Sequence, residues 1–283
     1  MQIGIGMPNQ VRDMRPDVIP AWARLAEESG FASLATVGRL AYPGLSDTVA
    51  LAAAAAVTDR VELISGVLLA PIWPAPLLAK ELAGIDGVSG GRLTLGVAVG
   101  QRPDDFVVEG FGPSGRGARL DRDLETYRDI WRGEPVGGGP NPAVPAGTRQ
   151  IPMLFGGFAP AAMERMARWG EGYIGGSVPA PMAAPAFDAA RDAWRRAGRQ
   201  GSPRLVALAY FALGDSDAGR RSVYDYYAGS GEFARIMAGA VCDSPGRVKE
   251  AISSFADLGV DEISFNTGTD DPDEVKRLAD VVF

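Results

Sequence analysis

Residues 77–100, LLAKELAGIDGVSGGRLTLGVAVG, constrain the fold more than any other stretch, because a helix, a glycine break and a buried strand follow one another without slack. Pro74 and Pro76 suit a helix start, and Leu77, Leu78, Leu82 and Ile85 predict one apolar helical stripe. Ser89-Gly90-Gly91 ends the helix where left-handed backbone costs little. Arg92 then opens LTLGVAV, an apolar run almost without polar alternation, as in a parallel strand covered on both faces, and Gly100 closes it. This is the repeat of a βα-barrel.

The alternation recurs along the chain. Strands are predicted at IGIGM near Gln2, ASLAT from Ala32, VELISGVLL from Val61, RLTLGVAV from Arg92, PMLFG from Pro152, GYIGG from Gly172, RLVALAYFAL from Arg204 and DEISFN from Asp261. Helical patterns lie between nearly all of them. Val18, Trp22, Leu25 and Ala26 share one face that stops at Gly30, Asp47 is an N-cap candidate for TVALAAAAAV, Leu120, Leu124, Tyr127 and Trp131 recur at helical spacing, and Ser244-Pro245 and Asp271-Pro272 open the last two helices. Eight such units in 283 residues predict an α/β chain with a single (β/α)8 TIM barrel, one domain over residues 1–283, in preference to an open doubly wound sheet.

Two segments fit no element. Residues 133–150, GEPVGGGPNPAVPAGTRQ, predict a long loop insertion between the fourth and fifth strands, near the barrel mouth, either as a lid or as a surface insertion. Residues 214–241 read as a second irregular zone, whose YDYY cluster offers aromatic surface to a substrate or a subunit.

Composition narrows the chemistry. With 28 basic against 35 acidic side chains the net charge is −7, so neither nucleic acid nor an anionic membrane is an expected partner, and a small molecule is. A single cysteine excludes an internal disulfide, and MQIGIGMPNQ lacks the marks of a leader, so a cytoplasmic location is expected. The chain has no histidine, which excludes a Ser-His-Asp triad, a Cys-His pair and an HExxH zinc site, and no metal site is expected. Gly4 and Gly6 lead to Pro8 rather than into a helix with a third glycine, so they are not a dinucleotide fingerprint. Chemistry must come from carboxylates, Arg, Lys, Tyr or a borrowed cofactor.

The residues 77–100 motif resembles the core signature of the luciferase-like monooxygenase superfamily, the flavin- and deazaflavin-dependent barrel oxidoreductases. IGIGMPNQ, AVTDRVELISGVLLAPIWPAPLLAK, RGARLDRDLETYRDIWRG, MLFGGFAPAAMERMARWGEGYIGG and LGVDEISFNTGTDDPDEVKRLAD follow in that superfamily's order, so the resemblance covers nearly the whole chain. It implies reduced FMN, or alternatively coenzyme F420, at the carboxyl ends of the strands, a separate flavin or F420 reductase as supplier, and a homodimer. Gly66 and Val67 match the family's bulge with a non-prolyl cis peptide behind the ring. Val99 and Gly100 match the strand end beside the ring or phosphate chain. Gly156, Gly157 and Phe158, before the helix opened by Pro160, resemble its phosphate site, although Phe158-Ala159 supplies no hydroxyl there, leaving amides and an arginine such as Arg102.

The departures bear on mechanism. Deazaflavin-dependent dehydrogenases of the superfamily often carry an acid and a histidine after the second strand and a glutamate after the fourth, where this chain has Gly38-Arg39 and Gln101. That favours a monooxygenase using reduced FMN and dioxygen on a small organic substrate. A deazaflavin reductase or dehydrogenase is the alternative, and a non-catalytic flavin-binding barrel is the reading from another class. Arg39 is the first catalytic candidate, as an anchor for a carboxylate or an oxygen-derived anion, against a plain surface arginine. Asn9 and Gln101 complete the catalytic candidates: Asn9, with Gln10, as a hydrogen-bond partner of substrate or ring edges or a plain turn residue, and Gln101 after the fourth strand with Asp104 and Asp105, which are candidate bases or solvated loop acids; Tyr42, Trp73 and Phe106 are candidate pocket walls or core.

Overall fold

The computed structural model describes residues 1–108 and 110–283. Its strands are β1 (Gln2–Gly6), β2 (Ser33–Thr36), β3 (Glu62–Ser65), β4 (Leu68–Leu69), β5 (Leu93–Ala98), β6 (Met153–Phe155), β7 (Gly172–Ile174), β8 (Arg204–Phe211) and β9 (Glu262–Thr267). Every neighbouring pair is parallel, β1 lies between β2 and β9, and β3 and β4 both pair with β5, which closes the sheet. β3 and β4 are halves of one stave, with Leu63 opposite Leu93 and Leu68 opposite Val97, so the barrel has eight staves. The predicted strand VELISGVLL is broken at a cis peptide between Gly66 and Val67.

Around the barrel run α1 (Val18–Glu28), α2 (Asp47–Ala55), α3 (Ala75–Val88), α4 (Arg116–Trp131), α5 (Pro160–Trp169), α6 (Ala180–Arg196), α7 (Ser216–Tyr226), α8 (Glu232–Gly239), α9 (Pro245–Asp257) and α10 (Asp273–Val282). Each presents one apolar stripe inward, as α1 does with Val18, Ile19, Trp22, Ala23 and Ala26. On α3 the stripe is Leu78, Ala79, Leu82 and Ile85, whereas Leu77 is 49% exposed. At about 100° per residue Leu77 lies on the side of Leu78 away from Ala79 and about 140° from Leu82, so it falls outside the stripe. Ser244 Oγ accepts the Arg247 amide at 3.4 Å and opens α9 as its sequence predicts, a cap that contributes about 1 kcal/mol. Asp47 is not a cap: Ser46 holds that position and Asp47 is the first helical residue of α2.

The barrel interior is layered. At the amino-terminal ends of the strands Arg204 donates to Glu62 at 2.8 and 2.7 Å and to Glu262 at 2.6 Å, Thr94 donates to Glu62 and Ser33 to Glu262. Above this polar floor lies an apolar layer of Ile64, Leu154, Ile174, Val206 and Leu208 with Val67. The opposite end is open.

Chain order settles which loops face that opening. Residues 133–150 follow a helix and precede a strand, which puts them at the floor: Arg149 pairs with Asp86 and donates to the Leu93 carbonyl at the start of β5. The placement of this insertion near the mouth, and the lid reading with it, is therefore corrected, and the surface insertion is what the structure shows. Residues 214–241, by contrast, follow β8 and belong to the mouth. They are not irregular, as expected from sequence, but carry α7 and α8. Among the described residues no helix is long and apolar enough to cross a membrane.

Candidate active site

The carboxyl ends of the strands surround a cavity of about 400 Å³. Its base is the apolar interior layer, through Val67, Ile174 and Leu208, and its walls are strand ends and the loops that follow them. A cavity of this size, largely apolar with a few polar groups at its rim, suits a small organic molecule.

Seven residues expected to cradle a coenzyme, Gly66, Val67, Val99, Gly100, Gly156, Gly157 and Phe158, all line this one cavity. The surface is bare backbone where side chains would intrude. Gly157 has φ +118°, and a Cβ there would stand 3.3 Å from Ala162; Gly100 has φ +70°, and a Cβ there would meet Leu69 and Phe106 at 3.4 Å. The unfilled backbone beside an apolar base fits a flat ring system, and Gly157 leads into the amino terminus of α5; there Pro160 has no N–H and the Ala162 amide donates to the Ala159 carbonyl at 2.9 Å, which leaves the amides of Phe158, Ala159 and Ala161 and the positive end of the helix for an anionic group. Phe158 is 61% exposed on the rim, so no hydroxyl assists those amides.

Of the three hydrogen-bonding or catalytic candidates, Arg39 and Gln101 line the cavity and Asn9 does not. Asn9 is buried, donates to the carbonyls of Val37 at 3.0 Å and Leu45 at 3.2 Å, and accepts the Val37 amide at 3.1 Å. Its amide fastens the loop after β2 to the end of β1. Gln101 is exposed at the rim. Arg39 is largely buried but not free: it donates to Asp104 and to both oxygens of Asp105 at 3.3 Å. Asp105, 1% exposed, also accepts the amides of Leu40 at 3.0 Å and Ala41 at 2.9 Å. This knot ties the loop after β2 to the loop after β5, and it neutralises both the arginine and the acid that sequence reasoning weighed for chemistry.

The aromatic wall also differs from expectation. Tyr42, Trp73 and Phe106 are outside the cavity lining; Phe106 packs behind Gly100, and Tyr42 stacks edgewise on Tyr226 with ring centres 5.1 Å apart while donating to Asp225 at 2.6 Å. The aromatic side chains that line it include Tyr226 and Tyr227, from the end of α7. Burial pushes both hydroxyls up, so they stay protonated and act as donors or neutral walls. Tyr226 donates to the Gly38 carbonyl at 3.3 Å, and Tyr227 meets Tyr210 at 3.3 Å. Sequence reading noted the YDYY cluster without assigning it to the mouth; the signal that places it is its position after a strand.

Two further features belong to the site, and of their residues the sequence had suggested only Arg102 for it. Arg102, Arg116 and Arg165 line the cavity beside Arg39, against one lining acid among the described residues, Asp105. Asp47 stands behind Gly38, where any Cβ would collide with its Oδ2, while its buried Oδ1 has no hydrogen-bond partner among the described residues. Burial pushes the Asp47 carboxyl up to about 7.

Comparison with known proteins agrees with this architecture. The family model described as luciferase-like monooxygenase matches residues 1–277. An uncharacterized protein of Mycobacterium tuberculosis (strain ATCC 25618 / H37Rv) is 33% identical over 222 residues, covering 66% of this chain and 77% of the relative. Among solved structures, an F420-dependent secondary alcohol dehydrogenase in complex with an F420-acetone adduct superposes with a TM-score of 0.80 at 16% identity, over 99% of this chain and 98% of that one. The oxygenating constituent of 3,6-diketocamphane monooxygenase from the CAM plasmid of Pseudomonas putida, in complex with FMN, gives 0.77 at 16% identity, over 100% and 96%. At such identities the structural likeness speaks for the fold.

Proposed function

Since the chain belongs to the luciferase-like monooxygenase family and is an oxidoreductase of that kind, we propose that it is a monooxygenase acting on a small organic substrate with reduced FMN and dioxygen. The observation that carries this reading is the knot at Arg39. Asp105, the one acid among the described lining residues, is enclosed by Arg39 and two amides, and Gln101 stands in the loop where the resemblance to deazaflavin-dependent dehydrogenases implies a glutamate, so the cavity lining offers little protein acid-base machinery. Bound reduced FMN with dioxygen supplies the oxidant. The protein's residues then have the tasks of binding, orientation and keeping water out.

Those tasks fall to distinct parts. Gly66, Val67, Val99 and Gly100 present the surface against which a flat ring would lie, and Gly156, Gly157 and Phe158 lead its phosphate to the α5 amides. Tyr226 and Tyr227 close one side of the mouth with protonated, half-apolar faces, and the Arg39 knot holds two rim loops together. A separate reductase would supply the reduced coenzyme, the whole chain acts as one domain, and a cytoplasmic homodimer is the expected assembly, which light scattering checks.

The second reading is a reductase or dehydrogenase using coenzyme F420, favoured by the close fold of the F420-dependent alcohol dehydrogenase. Anaerobic titration with reduced FMN and with reduced F420, followed by admission of oxygen, separates the two. The monooxygenase reading expects tighter binding of reduced FMN and flavin reoxidation slower than in free solution. Preference for F420 with indifference to oxygen would replace it with the second reading, and binding of neither would remove both.

A further inference from the structure

The chain carries a net charge of −7, yet among the described residues four arginines and one aspartate line the cavity at the strand ends. These cations are not equivalent. Arg39 is neutralised by Asp104 and Asp105, and Arg165 by Asp121, which it meets at 2.6 and 3.1 Å. Arg102 and Arg116 have no carboxylate within 4.0 Å among the described residues, and the two sit in different surroundings. Arg116 opens α4, beside Gly117, whose added Cβ would reach Arg165 of α5 at 2.9 Å; it therefore belongs to the side where α5 offers its amides to a coenzyme phosphate.

Arg102 faces the other way, toward α7. Its Nη1 donates to the Tyr226 carbonyl at 2.6 Å, and its guanidinium lies 4.7 Å from the Tyr226 ring centre and 4.9 Å from that of Tyr227. Two ring faces and one carbonyl fix the plane of the guanidinium and use one of its five N–H donors, so the remaining donors are held in place before anything binds. A coenzyme phosphate held on the α5 side, near Arg116, leaves this arginine to a different anionic group. A cation without a carboxylate partner among the described residues, in a mostly apolar cavity walled by tyrosines, matches a flat molecule carrying a carboxylate.

We propose that Arg102 is the substrate anchor and that the substrate class is a planar organic carboxylate, its acid group on the Arg102 guanidinium and its flat body along Tyr226 and Tyr227. This deepens the proposed function and rests on it. It also reassigns Arg102, which the sequence suggested for the phosphate, and relieves Arg39 of the anchoring role.

The test uses the full-length protein loaded with FMN, or with F420 where only the deazaflavin binds, and pairs of acids with their uncharged amides: benzoate with benzamide, and trans-cinnamate with cinnamamide. Affinities are read by calorimetry for the native chain, Arg102→Gln and Arg102→Lys, with coenzyme affinity read separately by fluorescence and folding by Tm. At least one acid is expected to bind about tenfold tighter than its amide, as for a charge-assisted hydrogen-bonded pair. Arg102→Gln should abolish that preference without weakening the amide or the coenzyme, and Arg102→Lys should keep part of it. Absence of any acid preference in the native chain, or its persistence in Arg102→Gln, overturns the proposal. A loss of coenzyme affinity in Arg102→Gln equal to the loss of acid affinity also overturns it, by making Arg102 a coenzyme contact. Failure of both coenzymes to bind the native chain would instead count against the oxidoreductase reading.

Discussion

The two ends of the barrel treat buried charge in opposite ways. At the floor Arg204 is enclosed by Glu62 and Glu262, each of whose carboxylates also accepts a hydroxyl, so the polar atoms satisfy one another. Burial pulls against the Arg204 cation, but Glu62 and then Glu262 hold it well above its ordinary value. At the mouth Arg102 has no acid partner among the described residues, and backbone lies bare at Gly100 and Gly157, while Asp47 keeps an unpartnered oxygen out of the lining, behind Gly38. The difference separates stability from function: a closed network specifies one fold, whereas unsatisfied groups around a cavity are capacity for a ligand.

The largest effect that sharpens this contrast is at the floor. Arg204→Met leaves two carboxylates facing each other without their cation, and a loss of about 3–5 kcal/mol is expected. Chemical denaturation checks it, and coenzyme affinity at a temperature where the variant is folded should be unchanged. At the mouth, Gly157→Val adds a side chain at φ +118° against Ala162 and should weaken coenzyme binding by at least about tenfold. Fluorescence titration measures this, and full affinity in a folded variant would break the phosphate assignment.

Smaller changes refine the mouth. Arg39→Ala unties the loops after β2 and β5, so turnover should fall by about tenfold through misplaced substrate, more than coenzyme affinity does. The comparison of kcat with coenzyme Kd is the readout. Asp47→Asn concerns pH. The unfolded chain releases this proton near 3.8 and the folded one only near 7, so the native carboxyl costs stability progressively as pH rises across that window. The Tm of Asp47→Asn relative to the native chain should therefore climb between pH 4 and pH 7 and level off above; a difference independent of pH would refute the buried titration. Deleting residues 137–140 at the floor should be the mildest change, within about 0.5 kcal/mol of native stability and without effect on coenzyme affinity.

Much of the barrel was legible because parallel strands covered on both faces read as apolar runs, and each of the eight runs became a stave. The seven residues suggested for the coenzyme cradle came together around one cavity because all lie on or after strand ends. Partnerships were less legible. Nothing in the order of residues says that Arg39 meets Asp105 while Arg102 lies on Tyr226, since such contacts join loops distant in sequence. The misplacement of residues 133–150 was avoidable: a loop that follows a helix in a βα-barrel returns at the floor, whatever its composition.

By itself, then, the sequence determined the repeat and therefore the barrel, its open end and the glycines that line it, because periodicity and backbone freedom are local properties. Only the tertiary structure decided which charged side chains neutralise one another and which remain available. Pairing depends on distances between loops that the chain sets only when the sheet closes, and the same closure that seals the floor around Arg204 leaves Arg102 facing the cavity without a partner acid among the described residues.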